Sequence, residues 1–580
     1  MGNLLYKILA NLRKIYLSDN FPLWLKIFIK QELGKFPFLN KKPSFYSFPY
    51  KGYSSKILIS KPIFKSDHKF SYYSQYYEET RILTSNSFLT TDVIHKTETY
   101  RSKKYENPID IKIKYNDDSL LPISIVDSSD ENANKADLII KNNNLTYSLK
   151  GIQPNRYHPL RLNGSGTLSL SSSKPIIIGK PINIKQTIKS SASKKFVLVI
   201  FIDCFGSSWF DMSNINTLIP NTLNFFKNGL IFKNCYSNAE WTLPSLASMF
   251  TGKYVHNTNM FHPRRLTNFY PKSKIISQYF KESGYFTQLI SGNRKQHLSS
   301  GYCNYFDRTI YKHLLKHHEI IYELIESHRV FNKRNIFNWL SFFDTHHPIN
   351  GSPSFSAQSN LNLNDHHVAN NQKKGLSNNY CKFAFERQKE ELKQWDYHMK
   401  QLYKFIEENY SDKEMLVALV SDHGDNLYEN ISNTPEMLNM GRVRVPLMIR
   451  GIKDKKGYSE ELIENVDLLP ILLENSKIIY DKKEIDGNLP YALGGEERKY
   501  IFSESIYPNQ TYKATLKDKE FEFFVESLNN TSDKGEYELN NGKFTLYEKA
   551  SSKIINNKSL KEKYISYLHD YNIWNRSKLY

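Results

Sequence analysis

Four short stretches combine residue types able to act on an ester or to hold a cation. The first is Asp203-Cys204-Phe205-Gly206, directly after the apolar run Phe196 to Ile202. Open α/β sheets place their ligands beyond the carboxyl ends of strands, so a carboxylate there suits a metal ion. The same residue type also serves as a helix cap. The second stretch, Trp241-Thr242-Leu243-Pro244-Ser245, reads as a turn opening a helix that ends at Gly252. A hydroxyl at that point faces unpaired backbone N–H groups and the positive end of the helix dipole. It either meets an anionic ester or only caps the helix. The third is Phe342-Phe343-Asp344-Thr345-His346-His347-Pro348. A histidine at a strand end can protonate a leaving group or bind an ester oxygen. The fourth is Val420-Ser421-Asp422-His423-Gly424-Asp425. Adjacent Asp and His, with Gly allowing a tight turn, form either a compact oxygen/nitrogen ligand pair or a structural turn.

The elements that must carry these residues are α/β in pattern. Phe196 to Ile202, Phe286 to Ile290, Ile336 to Phe343 and Met415 to Val420 read as buried strands. Helical patterns lie between them, and Leu392, Trp395, Met399, Leu402 and Ile406 mark one face of a long helix. Strands alternating with helices predict a mostly parallel sheet covered on both faces. Residues 195–494 are expected to form this catalytic domain. Residues 495–580, with short strands at Phe521 to Val525 and Phe544 to Tyr547 and a final helix, complete it as a small α+β subdomain. Residues 45–190 read as a β-rich, sandwich-like accessory domain. There Leu138 to Ile140 and Leu145 to Leu149 flank Asn142-Asn143-Asn144 as a hairpin. Ser190 to Ser193 reads as a linker. Residues 1–44 read as a basic amphipathic helical segment, and residues 1–40 are expected either to pack on the protein's own body or to lie on an anionic membrane surface.

Lys and Arg number 79 against 59 Asp and Glu, a formal charge of +20. Such a surplus favours anionic partners or simply keeps the chain in solution. The sequence holds no nucleic-acid-binding motif, so an anionic ester is the expected partner rather than nucleic acid. The four cysteines form no CxxC pair, which points to a reducing compartment. No secretory leader is recognisable, and no stretch approaches the roughly 18 apolar residues needed to span a bilayer. The expectation is therefore a cytoplasmic protein, with peripheral membrane contact through residues 1–40 as the alternative to packing of that segment on the protein's own body. Nothing in the sequence sets an oligomeric state.

With Gly284-Tyr285-Phe286-Thr287, the stretch from Val443 to Gly451, and Val466-Asp467-Leu468-Leu469-Pro470, these pieces resemble in their order the sulfatase-like branch of the alkaline phosphatase superfamily. The resemblance runs from about Phe196 to the C-terminus and implies an alkaline phosphatase-like sheet sandwiched by helices. It implies Asp203, Asp422 and His423 as ligands of one divalent ion, Mn²⁺, Mg²⁺, Ca²⁺ or Zn²⁺. Thr242 takes the nucleophile position and would also touch the metal. His346 matches the element that contacts substrate or leaving group, and His347 is grouped with it as substrate-binding. Three departures matter. Sulfatases carry Cys or Ser followed by x-Pro-x-Arg, which becomes formylglycine; here Thr242 and Leu246 stand in those places. That is more similar to the threonine-nucleophile lipoteichoic acid synthases and phosphoethanolamine transferases. Cys204 replaces a second Asp, which implies a single metal. Ser291-Gly292-Asn293-Arg294 stands where those synthases have a His before a Gly, so Ser291, Asn293 and Arg294 are expected to face substrate. The implied activity is metal-dependent phosphotransfer or phosphodiester cleavage through a covalent Thr242 intermediate. A phosphorylated or sulfated ester of a cell-surface glycan, or its donor in polysaccharide biosynthesis, is the implied substrate. The alternatives are a sulfuric ester hydrolase working without formylglycine and a catalytically silent binding or scaffold protein.

Overall fold

The computed structural model describes most of residues 64–576, with the longer gaps at 80–94, 127–135, 186–193, 264–272, 347–353, 362–381 and 425–437. The helical reading of residues 1–44, the linker at Ser190 to Ser193, and the residues His347, Cys381 and Asp425 lie outside the described residues.

Phe196–Ile202 is a strand of seven residues, all buried. Its β-branched and aromatic run has no polar alternation, as a strand covered on both faces requires. It pairs in parallel with Ile336–Phe342 on one side and Met415–Val420 on the other. Phe286–Ser291 continues the parallel order beyond Ile336–Phe342, and Arg308–Tyr311 follows it. On the other side Arg444–Arg450 runs antiparallel to Met415–Val420, and Leu230–Tyr236 runs antiparallel to Arg444–Arg450. Leu230–Tyr236 therefore points the same way as Phe196–Ile202. The carboxyl ends that precede Asp203, Thr242, Asn293, His346 and Asp422 consequently open on one edge of the sheet. The α/β reading with a mostly parallel central sheet holds.

Helices cover both faces. Leu198, Ile200 and Ile202 share a core with Phe225 and Phe226, with Ile320 and Leu324, and with Trp395, Met399 and Leu402. The opposite face receives Phe250 of the Thr242–Thr251 helix, 4.5 Å from the Trp339 ring, and Phe280 of Ile276–Glu282, stacked on Phe337 at 4.1 Å. The long helix is Lys382–Asn409, and its expected apolar face is buried throughout. Trp395 is fully buried and meets Phe342 edge-on at 5.9 Å. Trp395→Ala is expected to cost about 3–5 kcal/mol, since the cavity beneath a helix this long cannot close. A drop in the urea midpoint at unchanged slope would show it.

The sheet does not stop at the catalytic region. His95–Tyr105 pairs antiparallel with Arg308–Tyr311, and Ile176–Gly179, Ser119–Ile125 and Ile182–Asn183 extend it further. A second sheet of Ile111–Tyr115, Gly166–Ser172, Ala136–Asn142 and Leu145–Ile152 packs over this extension. Both contribute to one core that includes Leu121, Ile123, Leu138, Leu168 and Ile178. Edge-to-edge joining spares both regions an open strand edge. At the other end of the chain, Ile501–Ser505, Thr511–Lys517, Phe521–Asn530 and Lys543–Glu548 form an antiparallel sheet. Its Ser503 hydroxyl donates to the Ser237 carbonyl at 2.6 Å, and the Glu504 amide donates to the Asn238 carbonyl at 3.0 Å. The C-terminal sheet thereby braces the turn that leads into Thr242. No helix among the described residues is long and apolar enough to cross a membrane.

Candidate active site

The turn Ser237–Trp241 leads from a strand into the helix Thr242–Thr251, which closes on Gly252 at φ 65°. Trp241, not Thr242, occupies the cap position, and Thr242 is the first helical residue. The Thr242 hydroxyl therefore does not cap. Its Oγ1 lies 3.3 Å from His423 Nε2 and donates to Asp203 Oδ2 at 3.5 Å. Thr242 is 4% exposed, while Asp203 and Asp422 are fully buried. Ligand atoms of Asp203, Asp422 and His423 all lie within 4.8 Å of one another. Two carboxylates in that space repel unless a cation stands between them. Asp422 Oδ2 is buried and receives no hydrogen bond; its near neighbour is His423 Nε2 at 3.3 Å. The other oxygen, Oδ1, accepts from the amides of Cys204 at 3.1 Å and His423 at 2.9 Å. One oxygen is thus fixed by backbone while the other points inward, as a metal ligand requires. His423 Nδ1 lies 2.9 Å from the Gly424 carbonyl, which makes Nδ1 the protonated nitrogen and leaves the Nε2 lone pair facing Thr242.

Two backbone features make this approach possible. Cys204 sits at φ 61°, a left-handed conformation that costs a non-glycine residue about 1–2 kcal/mol. The strain aims its amide at Asp422. A Cβ on Gly424 would come within 2.2 Å of the Gly441 carbonyl oxygen and 2.8 Å of Gly206 Cα. Only glycine fits where these chain segments cross.

The remaining expected residues divide. His346 is half-buried, stacks on Phe343 at 4.3 Å, and forms with Asp203 and Cys204 a second group whose ligand atoms lie within 4.8 Å. Cys204 thus brings a thiol donor to this corner of the site. Asn293 Nδ2 donates to Asp203 Oδ2 at 2.5 Å, so it holds the carboxylate rather than standing free for substrate. Ser291 is fully buried, and its hydroxyl accepts from the Asn293 amide and donates to Gln296. It acts beneath the surface of the site. Arg294 opens the short turn Arg294–Gln296. Asn293→Ala is expected to weaken metal binding about 10- to 100-fold, as loss of a group orienting a ligand generally does. Competition titration against a chromophoric chelator measures it.

Sequence reasoning missed several supports. Ser245 donates to the Asp422 carbonyl at 2.8 Å, and Asn465 Nδ2 donates to the Ser421 carbonyl at 3.0 Å. Gln388 Nε2 donates to the Thr345 carbonyl at 2.9 Å. No spacing in the sequence marks them. Lys295 was detectable as a basic residue beside Asn293-Arg294. Its ammonium stands 5.1 Å over the Trp241 ring, next to Thr242, where it adds positive potential for an anion.

Glu240, just before Trp241, is fully buried and accepts from the Ser505 hydroxyl at 2.5 Å. Burial pushes its carboxyl up to about 7, against the pull of Ser505 and Arg442. The folded chain keeps this proton to about pH 7, whereas the unfolded chain releases it near the ordinary value of 4.5. Stability therefore falls as pH rises through that window and is level above it, by up to about 3 kcal/mol from this group. Glu240→Gln is expected to flatten that part of the stability–pH curve, read from urea midpoints between pH 5 and 7.5.

Residues 195–477 match the sulfatase family. No curated protein sequence matches the chain. Among solved structures it is similar to a phosphonate monoester hydrolase from Silicibacter pomeroyi, with 14% identity over 65% of this chain and 94% of that one and a TM-score of 0.50. It is also similar to a phosphonate monoester hydrolase of Agrobacterium radiobacter, with 14% identity, 65% and 95% coverage and a TM-score of 0.47. A 2-O GAG sulfatase aligns with 14% identity, 65% and 90% coverage and a TM-score of 0.47.

Proposed function

We propose, from the premise that residues 195–477 are a sulfatase-family domain of the alkaline phosphatase superfamily, that this chain is a metal-dependent phosphotransferase or phosphodiesterase with Thr242 as nucleophile. The observation that carries the proposal is the Thr242 hydroxyl at the mouth of a helix, 3.3 Å from His423 Nε2 and beside the buried Asp203 and Asp422. A divalent ion held by Asp203, Asp422 and His423 would supply charge to favour the Thr242 alkoxide and polarise the ester. Two carboxylates with an imidazole, and a thiol close by, suit Zn²⁺ or Mn²⁺ better than Ca²⁺.

The chain's own groups account for the rest. The Thr242–Thr251 helix presents its unpaired amides and positive end to the anionic oxygens of the substrate. Lys295 adds steering charge. Thr242 Oγ1, its proton already given up to solvent, attacks phosphorus in line: the Oγ1–P bond forms as the bond to the leaving oxygen breaks, and that oxygen takes a proton from His346. Water, or an acceptor hydroxyl, then displaces Thr242 and returns the proton to His346. Asn293 and the Cys204 amide keep both carboxylates in place through the cycle.

Phosphate is preferred over sulfate because threonine cannot become formylglycine, and the place of the required arginine is taken by Leu246, which is fully buried. The matched family keeps a sulfuric ester in view as the second reading. The intact Asp/Asp/His cluster weighs against a silent scaffold. Turnover of bis-p-nitrophenyl phosphate, p-nitrophenyl phosphate and p-nitrophenyl sulfate with each divalent ion is the test. Metal-dependent cleavage of the phosphodiester is expected; preference for the sulfate overturns the phosphate assignment.

A further inference from the structure

We propose that His317, His318 and His398 bind a second zinc-class divalent ion, with Asp344 as the carboxylate that orients the site. This site is separate from the Asp203–Asp422–His423 cluster and does not depend on the activity proposed above.

His317 and His318 open the helix His317–Phe331, and His398 lies on Lys382–Asn409. The packing of these two helices against the same face of the sheet brings the three rings together. Centroid separations are 4.5 Å for His317–His398, 5.5 Å for His317–His318 and 5.9 Å for His318–His398. With Zn–N bonds of about 2.0–2.1 Å, two imidazoles on one tetrahedral ion have centroids roughly 5 Å apart. The three separations bracket that value. As placed, the nitrogens of the three rings are not gathered within 4.8 Å of one another, so the ion must draw them together: His317 is buried and fixed, whereas His318 is exposed and His398 half-buried, and these two rings can turn toward His317 without disturbing the core.

Asp344 supplies the second observation. Its side chain is 2% exposed, its Oδ1 lies 3.0 Å from His317 Nδ1, and its Oδ2 is buried with no hydrogen-bond partner. Burial raises the Asp344 pKa, but His317 and Lys316 outweigh that and hold it below the ordinary carboxylate range. An ionised Asp344 makes His317 Nδ1 the donor and leaves the Nε2 lone pair to a metal. Carboxylate–histidine–zinc relays have this arrangement. Other charges face the cluster: Lys316 Nζ is 3.9 Å from Asp344 Oδ1, and the Glu319 and Glu391 carboxylates also act on it.

The site has a path to the chemistry. Asp344 begins the turn that carries Thr345 and His346, and the Thr345 hydroxyl donates to the Asp203 carbonyl at 2.5 Å. An ion at the histidines would fix this turn and so position His346.

The test is zinc stoichiometry of the full chain, dialysed free of metal and titrated against a chromophoric chelator. The wild type should bind two equivalents. Asp203→Asn/Asp422→Asn should keep one, and His318→Ala/His398→Ala should lose one and keep the other. Both replaced histidines are at least partly exposed, so folding should survive, and circular dichroism checks it. A second readout is the zinc-induced rise in Tm of Asp203→Asn/Asp422→Asn, which adding His318→Ala/His398→Ala should remove. A carboxylate variant that binds none, or histidine variants that bind as much zinc as the wild type, would overturn the proposal.

Discussion

Thr242→Ala is expected to reduce kcat/KM for phosphodiester cleavage by roughly 10⁴-fold or more, because it removes the group proposed to form the bond to phosphorus. Stability should change little. Trp241, not Thr242, is the cap, and the Thr242 hydroxyl makes its contacts with Asp203 and His423 rather than with the helix backbone. Steady-state kinetics beside a thermal melt separate the two quantities. An unfolded variant would be uninformative, so Thr242→Ser serves as the paired control: it keeps the hydroxyl and should retain substantial activity. Activity retained in folded Thr242→Ala would show that the nucleophile lies elsewhere.

Asp422→Asn is expected to have the second largest effect. Asp422 Oδ1 accepts two backbone amides, a role an amide oxygen can keep, so the turn should survive. What is lost is the negative charge at Oδ2, the inward-facing oxygen. Metal affinity should fall about 100-fold or more, and activity at limiting metal should fall with it. Raising the metal concentration should restore part of the activity, which distinguishes a ligand from a group that acts directly on substrate. Calorimetric titration and a metal-dependence curve for kcat/KM measure the two effects.

Much of this site was legible before any coordinates. The strands Phe196–Ile202 and Met415–Val420 have the limits their apolar runs mark, because a strand buried on both faces cannot tolerate a polar residue until it leaves the sheet. The first polar residues after those runs are therefore the ones that meet at the sheet edge. The helix Thr242–Thr251 was equally plain, since Gly252 supplies the left-handed stop. The role of Asn293 was not legible. Its sequence position suggested substrate, and only the parallel pairing of Phe286–Ser291 with Ile336–Phe342 shows that it reaches Asp203. The joining of the N-terminal strands to the catalytic sheet was hidden for a related reason. His95–Tyr105 and Arg308–Tyr311 pair across more than two hundred residues through backbone groups, which carry no signature in side-chain pattern. The histidine cluster was likewise scattered over two helices whose contact no spacing predicts.

The central claim is a double displacement through Thr242, and the stereochemical course at phosphorus tests it most directly. A phosphodiester made chiral by isotopes or sulfur at phosphorus is turned over, and the configuration of the product is determined. Each in-line displacement inverts phosphorus, so two in succession return the original configuration. Retention is the result the Thr242 intermediate predicts; inversion would mean that water or the acceptor attacks phosphorus directly, and would contradict it.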